Sequence, residues 1–107
     1  MPTYMTSFTY HNETWQKLAK KPEDRSIAVK YLMEKLGGRL INMYYTTGGD
    51  SDGFIIYEAP DAKTAATAIL TVGLAGHVRG LKTTQLYSVA EALEVMGQAG
   101  RLSYPTP

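Results

Sequence analysis

The stretch RLINMYYTTGGDSDGFIIYE, Arg39 to Glu58, decides the fold. Its first part, Arg39 to Thr46, carries Leu40, Ile41, Met43, Tyr44 and Tyr45, a composition that suits a strand. Thr47 to Asp52 contains the Gly, Asp and Ser residues that turns use. Gly53 to Glu58 is strand-like again. So short a connection makes the two strands an antiparallel hairpin. Before it, Val29, Leu32, Met33 and Leu36 fall at i, i+3, i+4 and i+7, one apolar stripe of an amphipathic helix that Gly37 and Gly38 end. After it, Pro60-Asp61 opens a second helix with Ala65, Ala68, Ile69 and Val72 as its buried stripe, and Gly73 and Gly76 end it. Its small residues let it lie close to a sheet.

Working outward, Pro2 to Tyr10 alternates and is rich in Thr, Tyr and Phe, which predicts a first strand. Neither of its faces is charged, so both suit being covered. Asn12 can cap a short helix that includes Trp15 and Leu18. Pro22 is placed to start the next helix at its first turn, with Glu23 and Asp24 near the positive dipole end. His77 to Tyr87 reads as a fourth strand. Ser88 with Glu91 makes a capping-box pattern for a last helix lined by Val89, Leu93 and Met96. The tail from Gly97 to Pro107 reads as a frayed end, leaving residues 1–96 as one domain.

The order is β-α-β-β-α-β followed by α, an α+β, ferredoxin-like arrangement with an antiparallel sheet. Right-handed crossovers place the first strand between the third and fourth. The first and third strands are expected to run parallel, with the second and fourth opposite to them. Both main helices cover one sheet face. The other face, bearing Tyr, Phe, Met and Ile, stays open unless a second subunit closes it. A homodimer packed sheet to sheet is therefore expected, a dimeric α+β barrel.

The chain has 107 residues, 44% hydrophobic, with eleven basic and ten acidic side chains and no cysteine. That length suits one core that folds without staples. The missing cysteines exclude a disulfide framework, a thiol nucleophile and a Cys-ligated metal. The near-zero net charge argues against nucleic acid or an anionic membrane as partner. Met1 to Tyr10 has no basic region and no long apolar run, so it is not a secretory signal. Thr64 to Val78, the longest uncharged stretch, is shorter than the ~20 residues of a spanning helix. A cytoplasmic location is the expectation.

These segments together resemble the GYD-domain family. The matching pieces are Pro2-Thr3-Tyr4, the Leu36-Gly37-Gly38 helix end and the Thr47 to Asp52 turn. Further matches are Glu58-Ala59-Pro60-Asp61, Gly76-His77-Val78-Arg79 and the Thr84 to Ser88 strand ending. At the namesake turn, Gly49 and Asp52 hold the outer positions and Ser51 stands where the family's aromatic is expected. The resemblance implies a ferredoxin-like fold and dimerisation. It implies no particular activity, and fold alone does not supply one.

The expected topology brings the ends of the first and third strands and the start of the fourth to one edge, which sets His11, Glu58 and His77 together. Two His and a carboxylate can make a facial metal triad. The same residues serve equally as a loop His, a strand-opening His and a carboxylate paired with a cation, and no metal or cofactor is expected. Asp50 and Asp52 lack the further ligands of a calcium loop. Gly48-Gly49 has no following Lys and joins two strands, so it is not a phosphate loop.

Eight tyrosines is a high count, although strands and interfaces both favour Tyr. Tyr4, Tyr44, Trp15 and His77 are the expected lining of a cavity at the sheet and dimer interface for a small, partly apolar molecule. An alternative is a cofactor-independent isomerase or monooxygenase. There His77 or Asp52 takes a proton from an acidic C–H and Arg79 steadies the anion. A third reading is a purely structural or regulatory oligomer.

Overall fold

The first strand, β1 (Thr3–Tyr10), keeps the strict alternation of its sequence, with Tyr4, Thr6, Phe8 and Tyr10 buried and the residues between them half-buried. The computed structural model describes residues Met1–Pro107. After β1 come α1 (Asn12–Lys20), α2 (Ser26–Lys35), β2 (Arg39–Tyr45), β3 (Gly53–Glu58), α3 (Ala62–Leu74), β4 (Val78–Leu86) and α4 (Val89–Gly100). The sheet order is β2-β3-β1-β4, the ferredoxin-like order with β1 between β3 and β4.

Strand direction differs from the expectation. β1 and β3 run antiparallel, pairing Thr3 with Glu58 and Phe8 with Gly53. Every neighbouring pair in the sheet is antiparallel. The reason lies in the connections. The crossover through α1 and α2 returns the chain to its starting end, so β2 runs parallel to β1. The hairpin then reverses it, and β3 enters between them opposed to both. The end of β1 therefore meets the starts of β3 and β4, and Glu58 lies at the far end of the sheet from His11 and His77. The His11–Glu58–His77 grouping is not formed. Glu58 instead accepts from Arg39, Nε at 2.9 Å and Nη2 at 2.7 Å.

One sheet face carries the core. Tyr4, Phe8, Tyr10, Ile55 and Tyr57 pack against Met33 of α2 and Ala65 and Ala68 of α3. Ala65 and Ala68, both almost fully buried, are the small residues that let α3 approach. The Tyr57 hydroxyl lies 2.8 Å from Thr6 Oγ1, which lies 2.9 Å from Thr83 Oγ1. This chain of hydroxyls crosses three strands, and no buried side-chain polar atom lacks a partner. Burial pushes the Tyr57 phenol up from its ordinary value. The opposite face is uncovered: Met5 sits opposite Ile56 and Thr84, and Tyr44 opposite Phe54.

Helix ends depart from the sequence reading at several points. Asn12 is the first helical residue of α1 rather than its cap, and His11 takes the cap position. Pro22 does not start α2. The Asp24 carboxylate accepts from the backbone N–H of Ser26 at 2.9 Å and from its hydroxyl, so the chain turns there and the helix begins at Ser26. Those bonds hold the Asp24 carboxyl below its usual value. Gly73 lies inside α3, which ends at Leu74, and Gly76 with φ +83 turns the chain just beyond its cap residue Ala75. Asp61 caps α3 as expected, accepting from Thr64 N–H at 2.8 Å. The Ser88–Glu91 capping box is formed, and α4 continues through Gly97 to Gly100. No residue of α4 is buried.

Gly53 is required by space. A Cβ there would meet the Tyr44 carbonyl and the Phe8 ring, while one on Gly49 would meet nothing. Gly53→Ala is expected to cost about 3 kcal/mol, the upper end of overpacking, and Gly49→Ala close to nothing. Urea unfolding of the two variants measures the difference, and equal midpoints would contradict it.

Candidate functional site

Asp52, the last residue of the turn before β3, reaches back across the end of the sheet. Its Oδ2 accepts from Tyr10 N–H at 2.8 Å and from Trp15 Nε1–H at 3.0 Å. Its own N–H donates to the Phe8 carbonyl at 2.8 Å, and its carbonyl accepts from Thr46 N–H at 2.9 Å. One residue thus joins β1, α1 and both arms of the hairpin. The Trp15 ring stands edge-on to Tyr10 with centroids 5.2 Å apart. The Tyr10 and Tyr45 hydroxyls are 3.0 Å apart. Burial, and then the bond to Tyr45, push the Tyr10 phenol well above its ordinary value. The His77 carbonyl accepts from His11 N–H at 3.1 Å and Thr14 Oγ1 at 2.8 Å, so the start of β4 is tied to the same cluster.

Behind this cluster lies a cavity of about 250 Å³ between α2, α3 and the covered sheet face. Val29, Leu32, Ile55 and Val72 are among its eleven hydrophobic lining residues out of fifteen. The other four are Thr6, Arg25, Thr71 and His77, and the Tyr10 phenol adds a hydroxyl to the apolar part of the lining. Arg25 is held by Glu23, Nη1 to Oε1 at 2.9 Å. It is close enough to Tyr10 for its charge to oppose the rise of that phenol.

The residues singled out from sequence are distributed over several places. His77 lines the cavity. Asp52 and Trp15 are in the clamp beside it, and Trp15 also walls a surface cleft with Leu18, Pro22 and Tyr45. Tyr4 is buried, stacked on Tyr57 with centroids 5.7 Å apart. Tyr44 lies on the open face, where its hydroxyl accepts from Asn42 Nδ2 at 2.7 Å. Arg79 is exposed on β4, where the register shifts, and does not line the cavity. Tyr10 and Arg25 were not singled out. Tyr10 was legible as the last inward residue of β1. Arg25 was hidden by placing it in a first helical turn, although Asp24-Arg25-Ser26 carries a local Asx-turn signal.

Residues 4–96 match the family model described as the GYD domain. The chain belongs to the GYD domain family. Among solved structures, this GYD chain is similar to an Agrobacterium tumefaciens protein determined by X-ray crystallography. The two share 10% identity over 83% of this chain and 94% of that one, with a TM-score of 0.50, a likeness of fold alone. An uncharacterized NIPSNAP domain protein from Burkholderia xenovorans is similar at 13% identity, over 84% of this chain and 96% of that one, with a TM-score of 0.49. No curated protein matches. No helix is long and apolar enough to cross a membrane.

Asp52→Ala leaves the Tyr10 and Trp15 N–H groups without their acceptor, at an expected cost of about 1–3 kcal/mol. Asp52→Asn keeps one acceptor oxygen and loses less. Urea unfolding followed by the emission of Trp15, the only tryptophan, reads both effects. Unchanged stability in Asp52→Ala would refute the clamp.

The raised phenol of Tyr10 has a definite sign in alkali. Its folded value lies above its unfolded one, so its contribution is complete below about pH 10 and is lost as pH rises beyond that. Tyr10→Phe is expected to flatten the fall in stability above pH 10, measured by urea midpoints at successive pH values.

Proposed function

We propose that this GYD chain is a cytoplasmic homo-oligomer that binds a small, mostly apolar molecule between α2, α3 and the sheet. One polar end of the ligand meets Tyr10, Arg25 and His77. The cavity carries this reading. It is larger than the ~150 Å³ apolar cavity that admits benzene, and few polar groups converge at one side of it. The oligomer is supported by the open sheet face, where Met5, Phe54, Ile56 and Tyr44 lie without a covering layer.

A cofactor-independent isomerase or monooxygenase in the same cavity has His77 as its available base. Binding has the better support. Asp52 Oδ2 already accepts two N–H groups, and Arg79 stands outside the cavity. A purely structural oligomer leaves the cavity without a use.

Native mass spectrometry of the protein from its own host tests both parts. The expected result is a dimer or larger assembly carrying a small organic mass. The same mass is expected to be missing from Ala28→Trp, which fills the cavity from its rim. A bare chain whose melting temperature responds to no member of a panel of aromatic and aliphatic acids and amides would overturn the binding reading. A monomer would overturn the oligomer.

A further inference from the structure

α3 and α4 each present an apolar face that the chain leaves uncovered. On α4, Val89, Leu93 and Met96 share one side and are 78%, 61% and 64% exposed. On α3, Ala66, Leu70 and Leu74 recur every fourth residue away from the core, with Leu70 64% and Leu74 78% exposed. Between α3 and β4 runs a groove whose walls include Ala62, Ala66, Gly73 and Leu81. Small residues at those positions leave room for another helix to settle close. The two helices match in length, thirteen residues against twelve.

The accessible surface shows how much is left uncovered. The chain exposes 7851 Å², where a folded monomer of 11.8 kDa exposes about 5,900 Å². The excess of about 1,900 Å² is more than twice the ~800 Å² that each partner gives to a standard interface. The radius of gyration, 17.0 Å, exceeds the ~13 Å of a domain this long. α4 contributes to that excess together with the open sheet face and the C-terminal residues, since no residue of α4 is buried and it makes no extensive packing with another element. No residue of α4 lines the groove between α3 and β4 in its own chain. Only Tyr87 and Ser88 separate β4 from α4, with neither glycine nor proline, and the Ser88–Glu91 capping box fixes the direction in which the helix leaves.

We propose that α4 is an exchanged arm, whose Val89–Leu93–Met96 face seats in the groove between α3 and β4 of a second copy of this chain. The second copy returns its own α4 to the first, so the contact is self-complementary and closes as a pair. This goes beyond the open sheet face, because it involves different residues, and it is independent of any ligand in the cavity.

The absence of cysteine makes a direct test available. Chains carrying Leu70→Cys or Leu74→Cys are co-expressed with chains carrying Leu93→Cys or Met96→Cys. They are then treated with a short bismaleimide that spans the about 10 Å between packed helix axes. All four positions are exposed, so the substitutions leave the core untouched. The expected result is a covalent heterodimer as the main product in at least one pairing. Ile27→Cys, on the outer side of α2, paired with Leu93→Cys, should give none. A double variant, Leu70→Cys with Leu93→Cys in one chain, should likewise cross-link between chains. Cross-linking confined within single chains, or no pairing above the Ile27→Cys control, would overturn the exchange. Neither result would bear on the organic mass sought in the cavity.

Discussion

The carboxylate of Asp52 is the constraint on which one whole end of the domain depends. Two N–H groups from different elements converge on a single oxygen, one at the last residue of β1 and one on the indole of α1. A neutral acceptor would hold them less strongly than a charged one. With the aspartate's own N–H and carbonyl also engaged, the hairpin, the central strand and the first helix meet at one point. Tyr10 and Tyr45 are set beside that point, and the cavity opens behind them. The resemblance to the family turn places Asp52 at a matched position, while Ser51, which replaces the expected aromatic, contributes a backbone carbonyl to Thr46. The local architecture therefore uses the aspartate of the turn, and its own aromatics come from β1, α1 and β2.

The remainder follows from a sheet with one finished face. Tyr57, Thr6 and Thr83 bring hydroxyls into the core and satisfy one another there, which makes aromatic and β-branched strands compatible with a dry interior. α3 approaches through Ala65 and Ala68, while α2 supplies Met33 and the larger stripe around it. The difference in size between those stripes leaves space between the helices, and the cavity occupies it. Only eleven residues are buried, so the chain by itself covers little of its apolar surface.

Much of this was legible in the sequence. The alternation in β1, the stripe Val29–Leu32–Met33–Leu36, the glycine stop at Gly37 and the Ser88–Glu91 box each report a local period or a local bond, and each is found as read. Strand direction is different in kind, because it depends on how successive connections add. Reading β1 and β3 as parallel moved Glu58 to the wrong end, although its neighbours Arg39 and Thr3 mark it as part of the opposite edge. The start of α2 was misread because Pro22 suits a helix start in general, whereas Asp24 and Ser26 compete locally for the same job. The candidate site was the least legible part. Arg25 and Tyr10 lie fifteen residues apart in sequence and come together only when α2 packs over the sheet, and single-residue chemistry gives no sign of that.

The central position of β1 also has a kinetic side. Its partners are β3 and β4, so Thr3 must wait for Glu58 and Leu86 before it is paired on both edges. On a ribosome making about 5–20 residues per second, β1 emerges before its two partners and is among the last strands of this domain to be enclosed. During that interval an uncharged strand rich in Tyr, Phe and Thr has both edges open, which is the composition and exposure that favour pairing with the wrong chain. Long sequence separations in the central strand also predict slow folding for a domain of this size. In the nascent protein, β1 thus keeps both edges open until β3 and β4 have emerged.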